Sequence, residues 1–361
     1  MKRQLVHTYN DIISLENLCQ GWQEFVVDKK SKMDVQQFER NLMEHIVELH
    51  EALVNKTYCH GGYESFYITD PKRRHIHKAS VRDRLLHHAI YRVLYPFFDK
   101  TFIADSFSCR NEKGVHKALD RFRTLARVVS KNHTRTCWVL KCDIKKFFAS
   151  IDHDILFSIL KEYISDQNIL WLLENIIGSF ETPSEPTLTL RPSPAGRGGN
   201  CFPPPAGEGR RVRARIGLPL GNLTSQLFAN VYMNKLDQWV KHRLISHYYA
   251  RYAVDFVFLS RDKFRLEAAL PRIQEFLQTN LKLSLHPDKV FISTFASGVD
   301  FLGWVHFPDH RVLRNKTKQR MMRNIKSAVS EESLMSYLGL ISHGNTKKLR
   351  EQVVGEWWLR Q

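Results

Sequence analysis

Apolar residues recur along the chain with spacings typical of helices in some segments and of strands in others. Between residues 34 and 54 they occur at every third or fourth position, which predicts an amphipathic helix with the stripe Phe38, Leu42, Ile46, Leu49 and Leu53. The run CWVLKCDI at 137–144 is almost continuously apolar and predicts a buried strand that ends at an Asp. A helical pattern resumes at residue 153. Helix and strand signals therefore alternate within one chain.

A second group of elements begins at residue 216. The segment GLPLGNLTSQ predicts a loop that leads into a helix with the apolar stripe Phe228, Val231, Tyr232, Leu236, Trp239 and Val240. YYARYAVDFVFLS then predicts two short strands around Val254 and Asp255. This order predicts an α+β fold with a palm-like layer. The last 50 residues are predicted to be helical and are basic, with these cations and no acidic residue between 311 and 326: Arg311, Arg314, Lys316, Lys318, Arg320, Arg323 and Lys326.

Residues 183–215 differ in composition from the rest of the chain. This window holds seven of the thirteen prolines, five glycines and six arginines against two glutamates. Such a segment is not expected to form a packed element. We interpret it as a low-complexity insertion between two core elements, with a basic RNA-binding loop as the alternative.

Composition and charge limit the class of protein. A chain of 361 residues with 43% hydrophobic and 25% charged residues can bury a substantial core. Its formal net charge of +17 predicts attraction to a polyanion, most simply nucleic acid, with a membrane surface as the weaker alternative. No apolar run approaches the roughly 20 residues that span a bilayer. The expectation is a cytoplasmic protein, bacterial or phage-encoded, without membrane partners. Its six scattered cysteines are expected to be reduced structural thiols.

Two aspartates carry the strongest signal for chemistry. Transfer of a nucleotidyl group to a 3′-hydroxyl is catalysed mainly by two divalent ions, so a protein must aim several carboxylates at one point. An Asp at the end of a buried strand and another on an adjacent hairpin provide that arrangement. Asp143 fits the first position and Asp255 the second, although an Asp at a strand end is by itself more often a cap or turn residue.

The motifs around these aspartates resemble those of reverse transcriptases. VLKCDIKKFF, GLPLGNLTSQLFAN and RYAVDFVFL resemble the palm motifs of that family in the same order. RDRLLHHAIYRVLYPFF and DSFSCRNEKGVHKAL upstream, and LKLSLHPDKV and GVDFLGW downstream, extend the resemblance over most of residues 65–345. The signature GxxxSQ at Gly221–Gln226 resembles the diversity-generating retroelement branch.

This resemblance implies roles around the metal ions and the nucleotide. Asp143, Asp255 and the carbonyl of Ile144 would bind two Mg²⁺ ions, with Mn²⁺ as an alternative cofactor. Lys289 would protonate the leaving pyrophosphate. The nucleotide-binding residues would be Lys72, Arg74 and Arg84 at the triphosphate, Phe148 beneath the sugar and Gln226 at the templating pair. The neighbouring Phe147 is the better candidate for a core aromatic residue.

Template and primer contacts follow from the same resemblance. Gly221 and Asn222 would lie against the template, and the segment Gly298–Gly303, including Phe301 and Leu302, would form the primer grip. The basic C-terminal helices would track the backbone of the nucleic acid. The implied partners are an RNA template, a DNA or RNA primer and deoxynucleoside triphosphates, and the branch adds a small basic accessory protein.

The hairpin departs from the family pattern at one position. The family has Tyr, any residue, Asp, Asp, whereas this chain has Val254 in place of the first Asp. An isopropyl group offers no lone pair to a metal, and a rate loss of roughly 10³-fold or more, about 4 kcal/mol of barrier, is the expected scale. An engineered substitution, natural decay of a retroelement copy and a true binding-only variant remain open explanations.

The leading hypothesis is an RNA-directed DNA polymerase with fingers, palm and thumb. The predicted regions are N-terminal helices and fingers at 1–135, palm at 136–182 and 216–308, the insertion at 183–215, and a basic helical thumb at 309–361. The alternatives are a catalytically inactive nucleic-acid-binding protein and a DNA-templated or primer-synthesising polymerase on the same palm.

Overall fold

A computed structural model describes residues 3–69, 73–182, 215–244, 247–327 and 330–359. The chain divides into two compact units, each assembled from separate stretches of sequence. The first unit comprises Met1–Phe102, Lys146–Asn234 and Leu281–Leu283, and the second comprises Ile103–Lys145, Lys235–Asn280 and Ser284–Gln361. The low-complexity window at 183–214 and Lys72 lie outside the described residues, so the predictions made for them stay predictions.

The first unit is mainly helical and carries one β-hairpin. Its elements are α1 (Tyr9–Ile13), α2 (Leu15–Val26), α3 (Met33–Glu39), α4 (Leu42–Val54), β1 (Tyr63–Ile68), β2 (Arg74–Ala79) and α5 (Val81–Asp99). The antiparallel hairpin pairs Tyr63 with Ala79 at its base. The buried carboxylate of Asp83 fixes this base to α5, because it accepts hydrogen bonds from Tyr58 Oη at 2.8 Å and Gly61 N at 3.0 Å.

The remaining elements complete both units in chain order. They are α6 (Val115–Val129), β3 (Trp138–Cys142), α7 (Phe147–Ser150), α8 (His153–Lys161), α9 (Gln167–Gly178), α10 (Leu223–His242), β4 (Tyr249–Tyr252), β5 (Asp255–Ser260), α11 (Lys263–Leu281), β6 (Phe291–Thr294), β7 (Val299–Phe301), β8 (Trp304–His306), β9 (Arg311–Leu313), α12 (Asn315–Lys326), α13 (Glu331–Ile341) and α14 (Lys347–Trp358).

The second unit is built on two antiparallel sheets. One has the strand order β4-β5-β3-β6, and the other has the order β7-β8-β9. A continuous apolar core packs against them, contributed by α6, strands of both sheets and the C-terminal helices. Because alternate residues of a strand face opposite sides, this core needs only one face of each short strand. The strands β3 and β5 are therefore held in place by an apolar core on one face of their sheet.

Several predicted elements match the structure, and others need correction. The buried strand before Asp143 and the helix from His153 are confirmed. The single helix predicted for 34–54 is wrong, because the chain breaks between α3 and α4 at Arg40 and Asn41. The loop predicted through Gln226 is too long, since α10 already begins at Leu223.

Two further expectations were incomplete. Arg311 lies in strand β9 rather than in a helix, and the basic helical region starts after it. Cys19, Cys109, Cys137 and Cys142 are free thiols as predicted. Cys59 is disulfide-bonded, so the prediction of reduced thiols is wrong there. Among the described residues, none of the helices combines the length and apolarity that a bilayer crossing requires.

Candidate active site

Asp143 and Asp255 lie at the same end of two neighbouring strands. In the antiparallel pair β3 and β5, Cys142 lies opposite Phe256. Asp143 directly follows the first of these residues and Asp255 directly precedes the second, so both aspartates leave the sheet at one edge. The Asp143 side chain is 11% exposed and that of Asp255 is 28% exposed. The sequence prediction that these two carboxylates lie close together fits this register.

Each carboxylate is accompanied by a lysine ammonium. Lys289 Nζ lies 3.1 Å from Asp143 Oδ1, and the two groups are hydrogen-bonded. Lys141 Nζ lies 3.7 Å from Asp255 Oδ1, and its side chain is only 9% exposed. The backbone of Asp143 is held as well, because His286 N donates to its carbonyl oxygen at 2.7 Å. The negative charges of the two carboxylates are thus largely balanced by the two lysine ammonium groups.

Burial raises the pKa of Asp255 above its ordinary value. Lys141 opposes this effect, the negative charge of Asp143 adds to it, and Lys289 and Arg314 also favour the ionised form. Desolvation is the largest contribution because the charged carboxylate loses water when the hairpin packs. The direction of the shift shows that the cations do not fully offset the burial of this carboxylate.

Val254 occupies the turn that carries Asp255. Tyr252 pairs directly with Asp255, so Ala253 and Val254 form the two-residue connection between β4 and β5. Ala253 has a φ of 53°, in the left-handed region that non-glycine residues rarely adopt. The Val254 side chain is partly exposed and has no polar atom. The hairpin is therefore formed in full although the first carboxylate of the family pattern is missing.

These residues do not fit a pair of divalent ions. Mg²⁺ prefers several oxygen ligands in a near-octahedral arrangement. Two carboxylates are present, each beside a lysine, and position 254 supplies no donor. Within the described ranges no group of three or more His, Cys, Asp or Glu side chains could hold a metal ion. Ile144, whose carbonyl was a predicted ligand, is buried and forms a bridge with Leu285.

The predicted triphosphate ligands belong to the first unit. Arg74 begins β2 and is exposed, so its predicted role stays open. Arg84 lies on α5, where its Nη2 atom is 2.5 Å from Asp34 Oδ2 and its guanidinium is 5.0 Å from the centre of the Phe25 ring. Arg84 is thus already paired within the protein, and its predicted role at the triphosphate stays a prediction.

The two adjacent phenylalanines of the first motif differ in burial. Phe147 is 5% exposed, which confirms it as a core aromatic residue. Phe148 is half-buried, and its carbonyl oxygen accepts a hydrogen bond from Leu218 N at 2.7 Å. The chain after the insertion therefore holds the backbone of Phe148 in place. Its predicted position beneath the nucleotide sugar stays a prediction.

The loop before α10 packs closely against β2. Gly221 has a φ of 118°, and a Cβ atom there would lie 3.1 Å from Ile76 Cγ2. His77 N donates to the carbonyl oxygen of Leu220 at 2.9 Å. Glycine is thus required both by its backbone conformation and by the close approach of the strand. Gly221 therefore anchors the hairpin of the first unit, whatever it contacts in a bound template.

Asn222 and Gln226, both predicted to contact the template or the templating pair, differ in burial. Asn222 is 2% exposed, and neither polar atom of its amide has a hydrogen-bond partner among the described residues. Its side chain is thus buried within the protein, and the predicted template contact stays a prediction. Gln226 lies in the first turn of α10 and is partly exposed. A buried amide without hydrogen-bond partners lowers the stability of the folded state. The structure offers no explanation for an Asn at position 222.

The predicted primer grip forms the hairpin of β7 and β8. Leu302 and Gly303 make its turn, with φ values of 50° and 89°. At Gly298, φ is 89° and a Cβ atom would lie 2.6 Å from the Phe307 ring. Phe301 is fully buried, with its ring centre 5.1 Å from that of Phe122. Phe301 is therefore a core residue, and the predicted contact of this segment with the primer stays a prediction.

Sequence reasoning missed three charged residues near the aspartates. Lys141 lies within the apolar run VLKCDI, and Arg251 lies within the apolar run YYARYA. Asp237 faces Arg251 from α10, with Nη2 and Oδ2 2.6 Å apart. A charged residue inside a strand that is otherwise apolar has to be paired when buried. That conflict was visible in the sequence and could have marked Lys141 and Arg251 as site residues.

The chain is similar to several known proteins in sequence or in structure. "Protein YkfC" of Escherichia coli (strain K12) is 24% identical over 293 residues, which cover 70% of this chain and 67% of YkfC. "Group II intron-encoded protein LtrA" of Lactococcus lactis subsp. cremoris is 22% identical over 202 residues, which cover 55% of this chain and 28% of LtrA. The solved structure of apo telomerase from Candida tropicalis matches with a TM-score of 0.45 and 12% identity, over 74% of this chain and 59% of that one.

A family model decides the assignment. The model described as "Reverse transcriptase (RNA-dependent DNA polymerase)" matches residues 69–306, which is well over half of the chain and includes both aspartates. The predicted α+β class and right-hand polymerase fold are confirmed by this match together with the mixed helices and sheets. The chain belongs to the reverse transcriptase family.

Proposed function

We propose that this chain is an RNA-directed DNA polymerase that binds template, primer and deoxynucleotide but is nearly silent in the chemical step. One observation carries the proposal: the hairpin of β4 and β5 is fully formed, and Val254 stands in its turn beside Asp255. The backbone that would position a third carboxylate is therefore present, and only the carboxylate itself is missing. An Asp at this position would add the missing oxygen donors to those of Asp143 and Asp255.

In the proposed reaction, the primer 3′-hydroxyl attacks the α-phosphorus of the nucleotide and pyrophosphate leaves. Divalent ions, Mg²⁺ or alternatively Mn²⁺, neutralise the developing charge in such reactions. Lys289 is the proposed donor of a proton to the pyrophosphate. Its ammonium is held by Asp143 in this chain. The residues present can thus hold and release a proton, while the donor set for the ions is incomplete.

Binding of nucleic acid rests on charge rather than on Val254. The net charge is +17, and exposed lysines and arginines continue along α12 without an acidic neighbour in that helix. Lys316, Lys318 and Arg323 are exposed there. Cations along one helix attract phosphates and release counterions on binding. We propose that α12 tracks the template-primer backbone in the cytoplasm of a bacterium.

The diversity-generating branch is a finer proposal, motivated by Gln226 after Ser225. Membership would mean error-prone copying of a template repeat and a small basic accessory protein as partner. The test is deep sequencing of cDNA made by the Val254→Asp variant. Substitutions concentrated opposite template adenines support the branch, whereas ordinary fidelity at those positions rejects it.

Primer extension on an RNA template with Mg²⁺ tests the central proposal. This chain is compared with Val254→Asp and with Val254→Asn, which has nearly the same shape without the charge. We expect Val254→Asp to extend the primer roughly 10³-fold faster than the parent, on the scale of one lost catalytic contribution of about 4 kcal/mol. Val254→Asn should remain near the parent. Equal rates for all three chains would contradict the role assigned to this hairpin.

A second candidate function is a nucleic-acid-binding protein without turnover. The ion pairs of Lys289 with Asp143 and of Lys141 with Asp255 favour it, because they leave little net negative charge for metal ions. Both candidates predict binding of template-primer that weakens with salt. Extension separates them: the second candidate holds if Val254→Asp binds template-primer as the parent does and still produces no extended primer.

A further inference from the structure

Arg251 and Asp237 form a fully buried ion pair in the second unit. Both side chains are 0% exposed. Arg251 Nε donates to Asp237 Oδ1 at 2.8 Å, and Nη2 donates to Oδ2 at 2.6 Å. Tyr249 Oη donates to Asp237 Oδ1 at 2.7 Å. This bidentate arrangement satisfies a buried carboxylate and ties strand β4 to helix α10.

The same guanidinium also reaches the catalytic hairpin. Arg251 Nη1 donates to the carbonyl oxygen of Ala253 at 3.0 Å, and Nη2 donates to Ser106 Oγ at 2.9 Å. Ala253 has the left-handed φ of 53° described above. A non-glycine residue in that region is strained and persists there only when its surroundings hold it. The bond from Arg251 is a contact that holds it.

The backbone of Arg251 is fixed from a second side. Arg251 N donates to the carbonyl oxygen of Asp105 at 2.9 Å, and Phe107 N donates to the carbonyl oxygen of Arg251 at 3.0 Å. Residues 105–107 therefore cover the free edge of β4. Since both its backbone and its head group are fixed, Arg251 provides a rigid reference for the turn at Ala253 and Val254.

A buried ion pair is not an economical way to stabilise a core. Taking two charges out of water costs several kcal/mol per ion, and an apolar pair of similar volume often does as well. What an apolar pair lacks is a donor for the Ala253 carbonyl. Beyond Asp237, the guanidinium donates to Ser106 and to the Ala253 carbonyl, and the second of these contacts is directed at the turn beside Asp255.

We propose that Arg251, oriented by Asp237, is a positioning residue that fixes the 253–254 turn and thereby aims Asp255 toward Asp143. This inference rests on the proposed function, because it assigns a purpose to the aim of Asp255. It concerns residues outside the motif positions to which sequence resemblance gave roles. Arg251 itself touches neither nucleotide nor nucleic acid in this assignment.

The first experiment uses the chain as it stands and needs no catalysis. Hydrogen exchange of the amides at 253–256 is compared between the parent and Arg251→Lys. This variant keeps the positive charge but loses the planar guanidinium with its several N–H donors. Ser106→Ala keeps the ion pair and serves as a milder variant in case Arg251→Lys does not fold. Arg121→Lys is the matched control, because the guanidinium of Arg121 pairs with the Asp105 carboxylate at 2.6 Å and donates its hydrogen bonds there rather than to the turn.

We expect exchange at the turn to be about tenfold faster in Arg251→Lys, the scale of one lost hydrogen bond to a charged group. Ser106→Ala should show a smaller acceleration, and Arg121→Lys should match the parent. Unchanged protection at 253–256 in folded Arg251→Lys, or in Ser106→Ala if the former fails to fold, overturns the proposal.

The second experiment places these variants in the Val254→Asp chain and measures single-turnover extension against deoxynucleotide concentration. A misplaced catalytic group should lower the maximum rate, on the order of 10²-fold for Arg251→Lys, while the half-saturating nucleotide concentration changes less than about twofold. Equal losses in both quantities, or none in the rate, overturn the proposal. If Val254→Asp itself does not extend a primer, the proposed function has failed, and hydrogen exchange alone decides whether Arg251 positions the turn.

Discussion

Lys289 and Asp143 are joined by an ion pair of 3.1 Å, so the proposed proton donor and a proposed metal ligand hold each other. A cation that binds Asp143 would compete with this ammonium. Release of Lys289 from Asp143 would leave it beside the site with its proton, as a donor to a leaving group requires. The pair therefore connects the metal-binding and proton-transfer parts of the proposed reaction.

Replacing Lys289 with Met in the Val254→Asp chain should slow extension. The expected loss is roughly 10²-fold or more, the usual scale for removing a general acid. The single-turnover rate at saturating nucleotide is the quantity to measure. Lys263→Met is the control, since that lysine pairs with Glu267 on α11 at 2.9 Å. A loss that is equal in both variants would remove Lys289 from the mechanism.

Gly221→Ala should destabilise the first unit and loosen its hairpin. The substitution places a Cβ atom 3.1 Å from Ile76 in a backbone with a φ of 118°. The expected cost is about 1–3 kcal/mol of unfolding free energy, to be measured by urea denaturation. Gly62→Ala is the matched control, because a Cβ atom there meets nothing within 4 Å. Similar stability for the two variants would show that the loop can move away from β2.

His306 should make the protein sensitive to acid. Burial, followed by the charges of Arg311 and Arg123, lowers its pKa to about 3, and neither ring nitrogen has a hydrogen-bond partner among the described residues. Between that pH and the ordinary value near 6.5, the unfolded chain binds a proton that the folded chain does not. Stability contributed by the neutral ring is therefore present above about pH 6.5 and falls as the pH decreases toward 3, by up to about 1.4 kcal/mol per pH unit.

The variant His306→Phe should lose that dependence and be more stable below pH 6. Thermal unfolding from pH 4.5 to 8 measures the difference. The exposed His242, changed to Gln, serves as control because its ring stays in water. An acid slope that persists unchanged in His306→Phe would assign the sensitivity to other groups.

Lys316 and Lys318 should account for part of the salt dependence of template-primer binding. Each phosphate contact contributes a log-log slope of about −0.7 to −0.9, so the double change to Ala should reduce the slope by between one and two. Fluorescence anisotropy between 50 and 300 mM salt, a range chosen to span roughly physiological strength, measures it. Lys263→Ala with Arg265→Ala removes the same charge from cations that face acidic neighbours. An equal change of slope in the control would indicate that the net charge of the protein, rather than a contact made by α12, determines the salt dependence.

The sequence predicted the elements whose pattern is local. The strand before Asp143, the hairpin around Val254 and the helix from His153 each depend on short apolar runs and turn residues, and all three are confirmed. The break at Arg40 and Asn41 was missed because the apolar spacing continues across it. The strand at Arg311 was missed because its three residues are too few to show a strand pattern and its partner, β8, supplies the hydrogen bonds.

At the site, residue types were more predictable than their surroundings. Asp143 and Asp255 lie at one sheet edge as expected, because an antiparallel register fixes neighbours. The burial of Asn222 and Phe301 and the pairing of Arg84 with Asp34 depend on distant parts of the chain. No pattern along a sequence gives such contacts, so the surroundings of these three residues could not be predicted.

The turn at Ala253 is fully formed without a carboxylate on the side chain that follows it. Arg251 and the β4 and β5 pairing hold that turn in place while Val occupies position 254. A lineage can therefore lose the carboxylate without losing the hairpin, and no secondary change has to accumulate to keep the protein folded. Where GUU or GUC encodes Val254, a single base change restores Asp, so the loss of the carboxylate is then genetically reversible in one step.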